Sequence, residues 1–167
     1  MTIRIIILIA ILLMPGCSGT QSQMSAEMLD PDYHVITGTY RMEQNWSIDL
    51  PFRFNKRNEK DCVVIWRPGF TIKINFRDND RAETMEKRLA QIKEKVPSEA
   101  FDIKAGHENE IVRFEYRITA KKGSSGPHEL YGFVIGDISH VEMVFSFERE
   151  SDLEIARGIW MSVKESY

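Results

Sequence analysis

The side chains in this sequence that could carry chemistry are four histidines, two cysteines and several closely spaced carboxylates. Histidine ligates metals and shuttles protons near neutral pH, and the candidates are His34, His107, His128 and His140. Their spacing forms no HExxH motif and no Cys–His cluster at metal-ligand intervals, so a surface or capping role is expected for each. His107 stands beside Glu108 and Glu110 in "GHENE". That trio reads as a polar turn, with a weak cation site as the alternative. "KKGSSGP" lacks the second glycine followed by Lys and Ser or Thr that a phosphate loop requires. Its Ser124 and Ser125 do not occupy a GxSxG elbow. Glu148 and Glu150 flank a helix start, where acidic groups suit the helix dipole. No nucleophile stands with its base. The expectation is no enzyme activity, no metal and no cofactor.

The cysteines divide. Cys62 opens the strand-like run "CVVIW" and reads as a buried, inert thiol. A reactive or intermolecular thiol is the alternative, and would need a depressed pKa or exposure. Cys17 directly follows Gly16 at the end of an apolar run from Ile5 to Met14, with Arg4 in front. Ten helical residues reach about 15 Å, half of a hydrocarbon core of about 30 Å. A short positive region, a short apolar region and small residues make a secretory signal rather than a spanning helix.

Gly16-Cys17 at that position resembles the lipobox of bacterial lipoproteins. The resemblance implies diacylglycerol on the Cys17 sulfur, cleavage after Gly16, and acylation of the new amino group. Met14 stands where Leu is commonest in that motif, and Pro15 where Ala or Ser is usual. Ser18, in place of Asp, implies sorting to the outer membrane, facing the periplasm. Acylation at this level exceeds the two signals that stable anchoring takes, so the membrane is an expected partner through the lipid. An ordinary secretory signal with an unrelated cysteine is the alternative. On the lipobox reading, Cys62 has no cysteine left for an intramolecular disulfide.

Elements must position whatever these residues do. Residues 1–16 are the signal and 17–32 a small, polar tether, whose random-coil reach is roughly 20 Å. Residues 33–167 form one domain, a size that buries enough surface for a core without disulfides. The chain is 43% hydrophobic and 28% charged, with net charge −3. That balance suits a globular domain and argues against nucleic acid, which selects a basic face.

"WSIDL" alternates Trp46, Ile48 and Leu50 on one face, with Pro51 ending the strand. "CVVIW" follows the polar turn "NKRNEKD", and "FTIKINF" alternates cleanly after the turn signal "RPG". Asp80 and Glu83 have capping-box spacing ahead of Ala82, Met85, Leu89, Ile92 and Val96, one helical face that Pro97 stops. Glu86, Lys87, Arg88, Lys93 and Glu94 read as its solvated face. "VRFEYRI" puts Val112, Phe114, Tyr116 and Ile118 inward and Arg113, Glu115 and Arg117 outward. "LYGFVI" and "HVEMVFSF" flank a turn at Gly136-Asp137, with Tyr131 and Phe133 read as core. Ser151 with Glu154 forms a second capping box, before a helix carrying Leu153, Ala156, Ile159, Trp160 and Val163. Short connections favour antiparallel pairing. The expected class is α+β, an antiparallel sheet covered on one face by two helices.

In that order the elements resemble the DcrB-type bacterial lipoproteins and, more broadly, the PsbP-like superfamily. "WSIDLP", "RAETMEKRLAQIKEKV", "YGFVIGDISHVEMVFSF" and "SDLEIARGIWMSVK" carry the resemblance across residues 46–164. It implies an antiparallel sheet with helices and no shared active site; members mostly bind partners, and one fold hosts many functions. The functional expectation is a lipid-anchored, periplasm-facing module that binds a protein partner. Its sharpest form is an immunity protein that neutralises a toxic effector delivered to the periplasm, as in type VI secretion. Envelope maintenance or assembly is the alternative, and a small-ligand carrier or enzyme built from distant residues a third. The loops "NKRNEKD" and "KKGSSGPHE" are the expected contact surfaces, since recognition commonly sits on loops of a rigid scaffold.

Overall fold

The structure is a computed structural model that describes residues 29–43, 45–79, 83–108, 110–119 and 127–165. Gly16, Cys17, Ser18, Asp80, Ala82, Ser124 and Ser125 lie outside the described residues. The strands are β1 (His34–Arg41), β2 (Trp46–Asn58), β3 (Val63–Arg67), β4 (Phe70–Asp78), β5 (Phe101–Glu108), β6 (Ile111–Ile118), β7 (His128–Ile135), β8 (Ser139–Phe147) and the short β9 (Lys164–Glu165). The helices are α1 (Met85–Glu94) and α2 (Leu153–Met161), the second entered through a 3-10 turn at Glu150–Asp152. One nine-stranded sheet results, in the order β1-β2-β3-β4-β8-β7-β6-β5, with β9 on β2. Every pairing is antiparallel.

The α+β expectation holds, with one correction. The helices lie on opposite faces of the sheet. Along β7, Leu130 and Val134 join the core that includes Ala156, Ile159 and Trp160 of α2. Their neighbours Tyr131, Phe133 and Ile135 join Ile92, Leu89 and Met85 of α1. Alternate residues of a strand face opposite ways, so β7 is covered twice. "LYGFVI" is apolar on both faces for that reason, as a doubly covered strand must be.

The larger core lies under α2. Phe70, Ile72, Ile74 and Phe76 of β4 stand opposite Phe147, Phe145, Met143 and Val141 of β8. Phe70 stacks on Phe147 at 6.1 Å. Trp46 is fully buried beside them and its indole N–H donates to Ser139 Oγ at 2.8 Å.

Three local expectations change. Pro51 does not end β2, which runs on to Asn58. The pairing with β1 shifts register between Ile36↔Phe54 and Gly38↔Leu50, so Pro51 falls in the bulge, where its missing N–H costs no ladder bond. Helix α1 is capped by Thr84, whose side chain accepts from the Lys87 N–H at 3.2 Å. At α2 the residue before the helix is Asp152, and it makes no side-chain cap bond. Ser151 is inside the 3-10 turn instead. Strands β1, β5 and β9 were not legible as strands.

The first described residues are fastened to the sheet. The Asp30 N–H donates to Asn55 Oδ1 at 2.9 Å, and Asn55 Nδ2 donates back to the Asp30 carbonyl at 2.8 Å. Tyr33 meets Trp66 edge-on at 4.8 Å. The segment read as tether is therefore held against β2 and β3 from Asp30 onward.

Candidate functional site

The arginines and the glutamate read as outward on β6 are not on an open face. Arg113 and Glu115 are buried, because α2 crosses that side of the strand. Burying a charge requires partners, and each has them. Arg113 donates from Nη1 to the Trp160 carbonyl at 3.1 Å and from Nη2 to the Val163 carbonyl at 2.7 Å. Its Nε reaches Glu108 Oε2 at 2.8 Å. A helix leaves its last carbonyls without intrahelical donors, and Arg113 caps the end of α2 while pinning it to β6.

Glu115 ties α2 to β6 one turn earlier, through a side chain rather than the helix backbone. Its Oε1 accepts from Arg157 of α2 and lies 3.4 Å from Lys104 Nζ on β5. Arg157 also bonds Asp102. That residue sits at a register break in β5 with φ 51°, a conformation Asp tolerates better than most residues. The break turns its carboxylate toward α2. The hydrogen bond from Arg157 holds the Asp102 carboxyl below its ordinary pKa.

An open groove of about 330 Å³ lies between β5 and the end of α2, lined by Gly106, Ala105, His107, Glu115, Trp160 and Met161 among others. Its exposed lining is mostly apolar. Met161 is half exposed on its rim. Gly106 has open space where a Cβ would stand, so the missing side chain is what opens the groove. Trp160 forms the wall and closes over Gly132, where an added Cβ would lie 2.5 Å from Cδ1. At the back, Glu115 Oε2 has no hydrogen-bond partner, and neither has Trp160 Nε1, which lies over Gly132. A second groove runs along the other flank of α2 against Leu50, Pro51 and Phe52.

The structure does not bring the histidines together. His128 faces Glu150 at 3.0 Å and stacks on Phe147. His140 is buried, 2.7 Å from Asn79 Oδ1, while Asn79 Nδ2 holds the Gly136 carbonyl at 2.8 Å. Its role is to fix the β7–β8 turn, and it lowers the pKa of Glu142 beside it. His34 and His107 are exposed on the two sheet edges. Among the described residues no three His, Cys, Asp or Glu side chains form a metal-binding group. "GHENE" splits, with His107 and Glu108 ending β5 and Glu110 in the turn before β6.

Cys62 is half-buried ahead of β3, not within it. Burial, followed by the nearby Glu59 carboxylate, pushes its thiol up, which keeps it in the unreactive form. Of the expected contact loops, "NKRNEKD" ends β2 and borders a small polar cleft near Cys62. Residues 121–126 of "KKGSSGPHE" lie outside the described residues. Tyr131 and Phe133 are half-buried under α1, Tyr131 stacked on Tyr116 at 4.8 Å. Desolvation and its bond to Glu129 raise the Tyr131 pKa strongly.

Sequence reasoning missed Gly106, Glu115, Arg157 and Trp160 as a group. The available signal was the pairing of a charged strand face, "VRFEYRI", with an arginine-bearing apolar helix, "LEIARGIW".

No helix among the described residues is long and apolar enough to cross a membrane. No protein-family model matches the chain, and no curated protein matches it. Solved structures do. A crystal structure from Bacteroides thetaiotaomicron superposes with TM-score 0.61 at 8% identity, covering 78% of this chain and 49% of that one. The chain thus spans about half the length of that protein. The solution structure of the cyanobacterial PsbP protein CyanoP, from Synechocystis, superposes with TM-score 0.59 at 11% identity, covering 79% of this chain and 92% of that one. The fold is PsbP-like, an open antiparallel sheet with two helices.

Proposed function

We propose that this chain is a periplasm-facing protein-binding module, anchored at the outer membrane through lipid on Cys17. The membrane half of the reading is supported by the short apolar run ending in Gly16-Cys17-Ser18. The binding half is carried by one observation. Beside β5, an edge strand among the described residues, lies an open groove with apolar walls, backed by the Arg157–Glu115 ion pair. Exposed apolar surface of that kind marks interaction sites. An immunity protein that blocks a periplasmic toxin is the sharpest form of this function.

The test is affinity purification from detergent-solubilised envelopes, comparing wild type with Cys17→Ala. Wild type in the outer-membrane fraction, with Cys17→Ala released, supports the anchor; identical fractionation refutes it. Mass spectrometry of the eluate then separates the roles. A toxic hydrolase as the stoichiometric partner supports immunity, and envelope assembly proteins redirect the function to maintenance. An eluate with no specific protein sinks the binding reading.

A further inference from the structure

The geometry points to the groove between β5 and the C-terminal end of α2 as a receptor for an extended peptide segment of the partner, which adds to the free edge of β5 and seats an apolar side chain over Gly106. This deepens the protein-binding reading and rests on it.

Three features carry the assignment. β5 is the terminal strand of the sheet among the described residues, so no described strand neighbours its outer backbone N–H and C=O groups. Such an edge is a template for an added strand. The irregularity between Phe101 and Lys104 restricts regular pairing to the stretch from Lys104 to Glu108. A partner segment of about four to six residues matches that length at one strand residue per β5 residue.

The second feature is the groove itself. Gly106 stands opposite Arg113 in the β5–β6 ladder, on the face toward α2. A side chain arriving from an added strand finds open space over Gly106, flanked by Trp160 and Met161. Aromatic and Met walls accept apolar side chains of varied shape.

The third feature selects peptide over other apolar ligands. Glu115 lines the groove with its side chain only 2% exposed, and its Oε2 accepts nothing. An unpaired buried acceptor is costly to leave unsatisfied. A backbone amide offers the N–H it lacks, and a peptide is a chain of amides bearing apolar side chains.

The test pans a phage-displayed heptapeptide library on the detergent-solubilised full chain, with synthetic copies of enriched peptides then titrated by fluorescence anisotropy. The blocking variant is Gly106→Trp, which fills the groove where no atom lies within 4 Å of the new Cβ. Gly158→Leu, on the other flank of α2 where an added Cβ also meets nothing within 4 Å, is the control. Enriched peptides rich in apolar residues should bind wild type and Gly158→Leu alike and lose at least tenfold in affinity on Gly106→Trp. Equal binding to Gly106→Trp, or no enrichment at all, overturns the assignment. So does native mass spectrometry showing a non-peptide molecule that Gly106→Trp displaces. Should Gly106→Trp still purify the envelope partner as wild type does, the binding module stands and the groove assignment falls. If wild type purifies no partner while peptides still occupy the groove, the groove assignment stands and the proposed function falls.

Discussion

Gly132→Ala is the most direct test of how α2 is held. Gly132 lies on β7 opposite Glu115 of β6 and Met143 of β8. An added Cβ would stand 2.5 Å from Trp160 Cδ1 and 2.7 Å from Nε1. Ordinary carbon contacts begin near 3.5 Å, so the indole must retreat by about 1 Å. It has little room. Trp160 is buried, and the Arg113 guanidinium lies 5.7 Å from its ring while bonding the Trp160 carbonyl. Overpacking of a well-filled core costs about 1–3 kcal/mol. For a domain of this size that is a fall in Tm of about 4 °C per kcal/mol.

The assay is urea unfolding followed by far-UV circular dichroism, on Gly132→Ala, Gly106→Ala and wild type. Gly106→Ala is the internal control, since its Cβ meets nothing, and it should stay within about 0.5 kcal/mol of wild type. Trp160→Ala removes the ring that clashes, so in a double-mutant cycle Gly132→Ala should cost at least about 1 kcal/mol less on that background. Gly132→Ala with an unchanged midpoint, or the same cost on both backgrounds, would refute the claim that close approach of Trp160 to β7 locks α2.

Other outcomes follow from single groups. The Asp102 carboxyl, held below its ordinary pKa by Arg157, contributes stability that is present above its unfolded pKa and lost as pH falls through the folded one; Asp102→Asn should flatten the loss of Tm below about pH 4. Glu165 is shifted the other way, raised by burial and then by Asp137 and Glu110. Its contribution is full below the unfolded pKa and disappears as pH rises, so Glu165→Gln should raise Tm at pH 7 and leave it unchanged at pH 3. In a Cys17→Ala chain, Cys62 should react with iodoacetamide at pH 8 several-fold more slowly than free cysteine, because burial raises its thiol pKa; equal rates would show a thiol that burial does not protect.

Much of the sheet is visible in the alternation of side chains. Strands β4, β6 and β8 follow from period-two patterns in which one face carries the apolar side chains, and α1 from Met85, Leu89, Ile92 and Val96 at helical spacing. Strand β5, "FDIKAGHE", was invisible. An edge strand buries almost nothing, so no apolar period marks it, and only pairing with β6 defines it. β1 is hidden by the same lack of burial. The candidate site was illegible for a related reason. Arg113, Glu115 and Arg157 look like solvated charges until α2 is laid across β6.

Local order therefore determined the helices and the inner strands of the element sequence, the α+β class and the candidate anchor at Cys17. Each rests on neighbouring residues whose spacing alone sets which way they face. Tertiary structure decided the placement of α1 and α2 on opposite faces, the burial of Arg113 and Glu115, and the groove at Gly106. Those depend on residues 42 to 55 positions apart, such as Arg157 with Glu115 and with Asp102. Their energies are set by who removes water from whom, which no local pattern records.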